Sequence, residues 1–473
     1  MRITLYALFL LVGLSNLQGQ NVELDKALGA ENAEMVKAQM GIYDDEAKTK
    51  YIRKVTARLV SELDKQLFDY EIHLVPDMTP NAFALPGGHL FITTGLIPIL
   101  ESEDELACII GHEIIHSNNR HTIKQMKKSI LPKLLEVPGN LIGVMNKDLG
   151  DFLTAPVETS NKLLFASYGR SFETEADDQG TQLAASAGYD PEAMISVLNR
   201  MSKSIEAATG NAGEKSYFND HPYTPDRAKS IEKTISKIDT KKAKPISAYF
   251  LKEMDSIIFG TSPEAGIIRD NSFLHPSLNF RIRFPSNWQI ENESSKVAGY
   301  SPDKQGAAFI GIEGYFTDPK EAGTHFIQNM ESEYKSKMIN AEPYLNNNTQ
   351  GYLISFADKV QGIDMYAYIL WVPLDGKLFK LIGIGPNTHK SDLEATAASL
   401  RALNKKEKES FTINFMRTIK AKDNESVEQL SKRTGNLLNL ELTRIINSKS
   451  ENEKLKNGEL VKIVRAYPYS VKE

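Results

Sequence analysis

Residues His112-Glu113-Ile114-Ile115-His116 set two imidazoles four positions apart with a carboxylate beside the first. On a helix, positions i and i+4 share a face one turn apart, so both rings can grip one metal ion while Glu113 stands next to it. The chemistry this allows is metal-assisted hydrolysis: the ion activates a water and the carboxylate moves its proton.

The element that must carry these residues begins at Ser102 and Glu105, which make a capping box, and runs to about Arg120. Leu106, Ala107, Ile109, Ile110, Ile114 and Ile115 make it apolar on both sides, so it is expected to be buried, where charge must be paired or metal-bound. A third ligand is needed. The pattern HExxHxxGxxH would supply it from the same helix, but Asn119 and Thr122 stand at its Gly and His positions, which excludes that class. The alternative is a carboxylate from a later helix. Phe172-Glu-Thr-Glu-Ala-Asp177 lies in a helical stretch ending near Gly188, and Glu173 and Asp177 share a face. One of them can bind the metal while the other accepts the free ring N–H of a ligating histidine. Glu175 points roughly opposite them. Cys108, the single cysteine, sits one turn before His112 and is read as a small buried apolar side chain. A lone cysteine excludes an intramolecular disulfide.

His112-Glu-Ile-Ile-His116 followed by Glu173-x-x-Ala-Asp177 resembles the HExxH…ExxAD signature of the HtpX/BepA-type zinc metallopeptidases, relatives of the CAAX-prenyl endopeptidases. Two more stretches are similar to that family: Asn81-Ala-Phe-Ala-Leu-Pro-Gly-Gly with Phe91 to Leu96, and His221-Pro-Tyr-Thr-Pro-Asp-Arg227. The resemblance covers about residues 22 to 238. It implies one Zn²⁺ per chain held by His112, His116 and Glu173, with Glu113 as general base and Asp177 orienting a histidine. His221 would bind the developing oxyanion or fill the fourth zinc position at rest, and Arg227 would hold substrate or that loop. Substrate would add as a strand along an edge formed near Asn81, Ala82 and Phe83 and near Leu90 to Thr93. His121 is expected to be structural.

Around this core, 473 residues leave room for several domains. With 41% hydrophobic and 25% charged residues the chain reads as globular, and its net charge of −5 without a basic block argues against nucleic acid. Residues 1–19 have the layout of a signal peptide, with Arg2 ahead of an apolar run from Ile3 to Leu14, and the rest carries no stretch long enough for a membrane span. The expected fold is α+β and multidomain. A mainly helical, zincin-type peptidase domain with a small sheet spans 20–238, and a linker spans 239–270. An α+β domain spans 271–404, and its Phe280-Arg-Ile-Arg-Phe-Pro-Ser-Asn-Trp288 looks like the opening of PsbP-like domains. Residues 411–473 are similar to a LysM-like unit of strand, two helices and strand.

The expected function is that of an exported zinc metalloendopeptidase of the periplasm or cell envelope, soluble or peripheral, acting on extended or misfolded polypeptides. The C-terminal unit would bring contact with peptidoglycan, and a peripheral membrane contact is open. Two other readings stand beside it: a non-catalytic, zinc-containing chaperone or wall-binding protein, and an amidase on peptidoglycan stem peptides. Glu113 argues against the first, because a binding module has no use for a base at the metal.

Overall fold

The structure, a computed structural model, describes residues 22–126, 168–209, 217–221, 225–238, 247–292, 295–330, 337–346 and 349–470. The expected signal peptide, 1–19, lies outside these residues, as does part of the expected linker. The chain divides into two compact units, Met1–Gly260 with Phe415–Arg465, and Thr261–Asn414 with Ala466–Glu473. Among the described residues no helix is long and apolar enough to cross a membrane.

In the first unit, two helices, α1 (Val22–Met40) and α2 (Glu46–Val60), precede a small sheet. Asp45 caps α2 by accepting from the Lys48 amide, and Ile52, Val55 and Leu59 turn one apolar face of the helix inward. The sheet contains β1 (Glu71–Val75), β2 (Ala82–Leu85) and β3 (His89–Thr93) in the order β1-β3-β2, with β3 parallel to β1 and antiparallel to β2. The β2–β3 turn needs glycine. Gly87 and Gly88 have φ of 78° and 95°, and a Cβ on Gly88 would fall 2.2 Å from the Asp69 carbonyl oxygen. Because β3 is the central strand, Leu90–Thr93 cannot be a free edge; the edge strands are β1 and β2, and Ala82 and Phe83 lie on β2.

Helix α3 (Glu103–Asn118) carries the two histidines, and all of its residues from Asp104 to Ser117 are buried. Ser102 caps it by accepting from the Glu105 amide at 3.2 Å. The reciprocal arm of the expected box is displaced: Glu105 accepts from the Glu101 amide at 2.7 Å and from Arg200 at 2.6 Å. Helix α4 (Arg170–Ser186) crosses α3, followed by α5 (Ala193–Thr209), α6 (Tyr217–Asp220), α7 (Pro225–Ile235) and α8 (Ser247–Glu253). One core unites Val55, Leu59, Leu74, Leu90, Ile109, Ile114, Leu183 and Leu198.

The Phe415–Arg465 part of this unit lies in β15 (Thr412–Lys420), β16 (Glu425–Ser426), α12 (Val427–Thr434), α13 (Leu440–Ile446), β17 (Lys454–Leu455) and β18 (Leu460–Pro468), with β15 pairing β18 and β16 pairing β17. The order is thus two strands, two helices and two strands. Residues 415–465 group with Met1–Gly260 in one compact unit. Met416 is buried in that core, its amide donates to the Ile257 carbonyl, and the Ser256 amide donates to its carbonyl. Lys462, 1% exposed, donates to the Leu100 carbonyl at 2.6 Å, and Arg200 bridges Glu101, Glu105 and Ser448 just ahead of α3.

The second unit is α+β. Strands β4 (Ile267–Arg269), β5 (Ser272–His275), β6 (Phe280–Arg283) and β14 (Arg401–Ala402) form one sheet in the order β14-β6-β5-β4. The larger sheet has seven strands, in the order β10-β11-β12-β13-β9-β8-β7. These are β7 (Gln289–Asn292), β8 (Lys296–Tyr300), β9 (Ala307–Ile312), β10 (Met338–Asn346), β11 (Thr349–Val360), β12 (Ile363–Leu374) and β13 (Lys377–Pro386). Helix α9 (Pro319–Asn329) packs on β11 and β12, and α10 (Lys390–Ala398) packs on β13; a short α11 (Lys405–Glu409) follows. The stretch Met365–Ile384 is two strands joined at Asp375-Gly376, both at positive φ as a tight hairpin turn requires.

Candidate metal centre

Two glycines let the site form. A Cβ on Gly180 of α4 would lie 2.8 Å from the backbone N and Cα of His112, and one on Gly111 would lie 3.0 Å from the Gly180 carbonyl oxygen. The two helices touch backbone to backbone at this point. One and two turns earlier on α4, the Asp177 and Glu173 carboxylates therefore reach the His112 and His116 rings of α3.

His112 Nε2 lies 2.9 Å from His116 Nε2 and 3.2 Å from His221 Nδ1; Glu173 Oε1 lies 3.3 Å from His116 Nε2 and 3.0 Å from His221 Nδ1. All four side chains are 0 or 1% exposed. Among the described residues this is a group of possible ligands whose atoms lie within 4.8 Å of one another. The donor set fits zinc. Ligands about 2.0–2.1 Å from a tetrahedral ion stand roughly 3.3–3.4 Å apart, close to the spacings found here. The facing Nε2 atoms of His112 and His116 bear the same reading, because each ring has a separate partner for Nδ1, and two lone pairs at 2.9 Å repel unless a cation lies between them.

Those partners differ. His112 Nδ1 lies 3.0 Å from Asp177 Oδ1. His116 Nδ1 lies 3.0 Å from Nδ1 of His121, whose own Nε2 is 3.5 Å from Glu175 Oε2. Glu175 is fixed by the Asn119 amide, which donates to it at 2.7 Å. His121 is fully buried and stacks on Phe172 with ring centres 4.6 Å apart. Sequence reasoning reads His121 as structural at the end of the helix and sets Glu175 aside as pointing away from Glu173 and Asp177. The available signal was that His121 follows the helix closely enough to turn back on it: Arg120, at φ 58°, makes that turn and pairs with Asp25 at 2.6 Å.

Arg227 contacts both Asp177 and the backbone at His221. Its Nε and Nη2 donate to the two oxygens of Asp177 at 2.7 Å each, its Nη1 donates to the His221 carbonyl at 2.9 Å, and it is 4% exposed. Tyr217 stacks on His221 with centres 4.4 Å apart, and its amide donates to the Pro80 carbonyl just before β2. Tyr168 stacks on His116 at 3.9 Å.

The charges follow from this packing. Burial drives His116 well below its ordinary pKa, favouring the neutral ring a metal requires. Burial opposes ionisation of Glu173, yet the His221 charge and hydrogen bonds from His116 and His221 hold its carboxyl well below the usual range. Asp177 is also lowered, with Arg227 and His112 outweighing burial. His221 is buried, but Glu173 and Glu113 raise it to about 9. Burial pushes His121 down to about 4 against the pull of Glu175. Glu113 is 2% exposed, with Oε1 3.5 Å from His221 Nε2.

Asn81, Ala82 and Phe83 are placed at the start of the edge strand β2, which packs on α3. Asn81 pairs with Thr93, its amide donating to Thr93 Oγ1 at 2.9 Å and its carbonyl accepting from the Thr93 amide at 3.0 Å. Strand alternation then turns the backbone groups of Ala82 and Ala84, rather than those of Asn81 and Phe83, away from β3.

A buried His-His-Glu-His group built from an HExxH helix, a glutamate of a second helix and His221 has the donor set of a zinc site. Residues 46–235 match the model of peptidase family M48. The chain is 30% identical over 195 residues to the mitochondrial metalloendopeptidase OMA1 of Schizosaccharomyces pombe, covering 41% of this chain and 55% of that protein. It is 31% identical over 185 residues to the protein of that name from Saccharomyces cerevisiae, covering 37% and 50%. A putative beta-barrel assembly-enhancing protease of Vibrio cholerae is 25% identical over 211 residues, covering 41% and 42%. The chain thus spans about half the length of these curated relatives. Among solved structures, cyanobacterial PsbP from Synechocystis aligns with 30% of this chain and 98% of its own at 14% identity and a TM-score of 0.22, too low to assign the fold of the second unit.

Proposed function

We propose that this chain is a zinc metalloendopeptidase that cleaves extended or misfolded polypeptide in the cell envelope. The observation that carries the reading is the convergence of His112, His116, Glu173 and His221 on one buried point, with Glu113 beside it. When bound there, zinc supplies Lewis-acid polarisation and an acidified water. Glu113 takes the proton and passes it to the leaving amine, which a carboxylate on the rigid helix α3 can do without moving its backbone. Asp177 keeps His112 in the tautomer that leaves Nε2 free for metal, and Arg227 keeps Asp177 ionised and in place.

Substrate pairs with the outward backbone groups of Ala82 and Ala84 as an added strand, so affinity comes from main chain and the enzyme prefers segments without fold. His221 would hold the metal's fourth position at rest or bind the developing oxyanion, and its Nδ1 lies within reach of His112 and Glu173 for either task. The layout of residues 1–19 supports export, and the relatives named for beta-barrel assembly support a role in envelope quality control.

A second reading, an amidase on peptidoglycan stem peptides, draws on the two helices flanked by strands within Thr412–Pro468. Digestion of casein against purified peptidoglycan separates the two. Glu113→Gln is the test of the site: zinc stays at one per chain, while casein hydrolysis falls by roughly 10²–10⁴-fold. Hydrolysis at the wild-type rate would remove Glu113 as the base.

A further inference from the structure

The second unit holds a cavity of about 400 Å³ that the metal centre does not use. It is lined by Tyr344, Tyr366 and Tyr368, by Leu353 and Leu370, and by Glu394 with the alanines of α10 beside it. Tyr366 and Tyr368 are buried, with ring centres 6.4 Å apart and planes inclined by 51°, so they flank a space instead of stacking on each other. The Tyr368 hydroxyl donates to the Leu393 carbonyl at 3.2 Å, which leaves the ring itself as what Tyr368 offers the cavity. Glu394 is half exposed, which puts its carboxylate at the rim. Burial first, then the charge of Glu394 and a hydrogen bond to it, raises the Tyr366 hydroxyl above its ordinary pKa, so the phenol stays protonated and the carboxylate is the negative group of the site.

We propose that this cavity binds a small organic cation with an apolar body, of the substituted-ammonium class. The faces of aromatic rings are negative, and an ammonium within about 6 Å of a ring centre is attracted to them, most strongly where water is excluded. The leucines and alanines accept methyl or methylene groups, and Glu394 balances the charge. An anion would meet that carboxylate, and a neutral ligand would gain nothing from it. The protein already makes this contact from outside: Lys390 Nζ lies 4.8 Å from the Tyr366 ring centre and 3.9 Å from Glu394. That lysine is 43% exposed, and exposed ion pairs are weak, so a ligand displaces it readily.

Binding is measured by titration calorimetry on the full-length protein with choline and with 3,3-dimethyl-1-butanol, which has the shape of choline without its charge. Choline binds in the millimolar range or tighter, and the alcohol binds at least about tenfold more weakly. Glu394→Gln, at a half-exposed position that the fold tolerates, weakens choline by about tenfold and leaves the alcohol unchanged. Equal binding of the two probes, choline binding that ignores the substitution, or no saturable binding at millimolar choline would each overturn the proposal.

Discussion

His121 Nδ1 sits 3.0 Å from His116 Nδ1, so one histidine orients another. On α3 the two ligand rings are thus held differently, His112 by a carboxylate and His116 by a neutral imidazole that Glu175 steadies from behind. His121→Phe keeps the stack on Phe172 and removes the nitrogen. Zinc affinity, measured by competition with a chelator, falls by roughly 10–100-fold, while thermal unfolding of the metal-free protein changes little. Unchanged zinc affinity would reduce His121 to packing.

His221 tests the resting state. If its Nδ1 fills the fourth position, His221→Ala opens that position and the rate of casein hydrolysis rises. A fall in rate would assign His221 to binding the developing charge. Zinc content, measured alongside, stays near one per chain because His112, His116 and Glu173 remain.

At the helix crossing, Gly180→Ala puts a methyl 2.8 Å from the His112 backbone, where no side chain can give way. The expected cost is about 1–3 kcal/mol, read as a lowered denaturant midpoint, with weaker zinc binding because the Glu173 and Asp177 carboxylates retreat with α4. Alanine at the exposed Gly376 has no neighbour to meet, yet its positive φ still costs stability without touching zinc affinity.

Lys462 gives a pH dependence remote from the metal. Burial lowers its amine from 10.5 to about 7, opposed by Glu101 and Glu105 and reinforced by Arg200. The folded state therefore binds the proton less readily than the unfolded chain. Stability is greatest above pH 10.5 and is lost as pH falls toward 7, by at most about 1.4 kcal/mol per pH unit. Denaturant midpoints at pH 7 and 9 should differ in the wild type and converge in Lys462→Met. A wild type with no difference would show the amine to be solvated.

Much of the metal site was legible because its grammar is local. His112 and His116 lie one helical turn apart, Glu173 and Asp177 likewise, and Asn119 and Thr122 excluded the single-helix alternative. What stayed hidden depends on approach between elements. Nothing in the spacing says that Gly111 meets Gly180, that His121 folds back on His116, or that Arg227 forks onto Asp177. The edge strand was half legible: the glycine turn announced β2 and β3, but strand order is set by tertiary packing, and it removed Leu90–Thr93 from the edge. In the second unit, Asp375-Gly376 was a readable hairpin signal within a long apolar stretch. The packing of residues 415–465 into the first core was not readable, because Met416 and Lys462 look ordinary in sequence.

The chain leaves the first unit at Gly260 and re-enters at Phe415, and these ends are laced together: Ile258 bridges Phe415, and Met416 exchanges backbone hydrogen bonds with Ser256 and Ile257. Residues 261–414 are thus a long excursion between two laced ends, and the chain rejoins the second unit at Ala466–Glu473. Since the two ends of that excursion already touch, joining them across a few residues costs little loop-closure entropy.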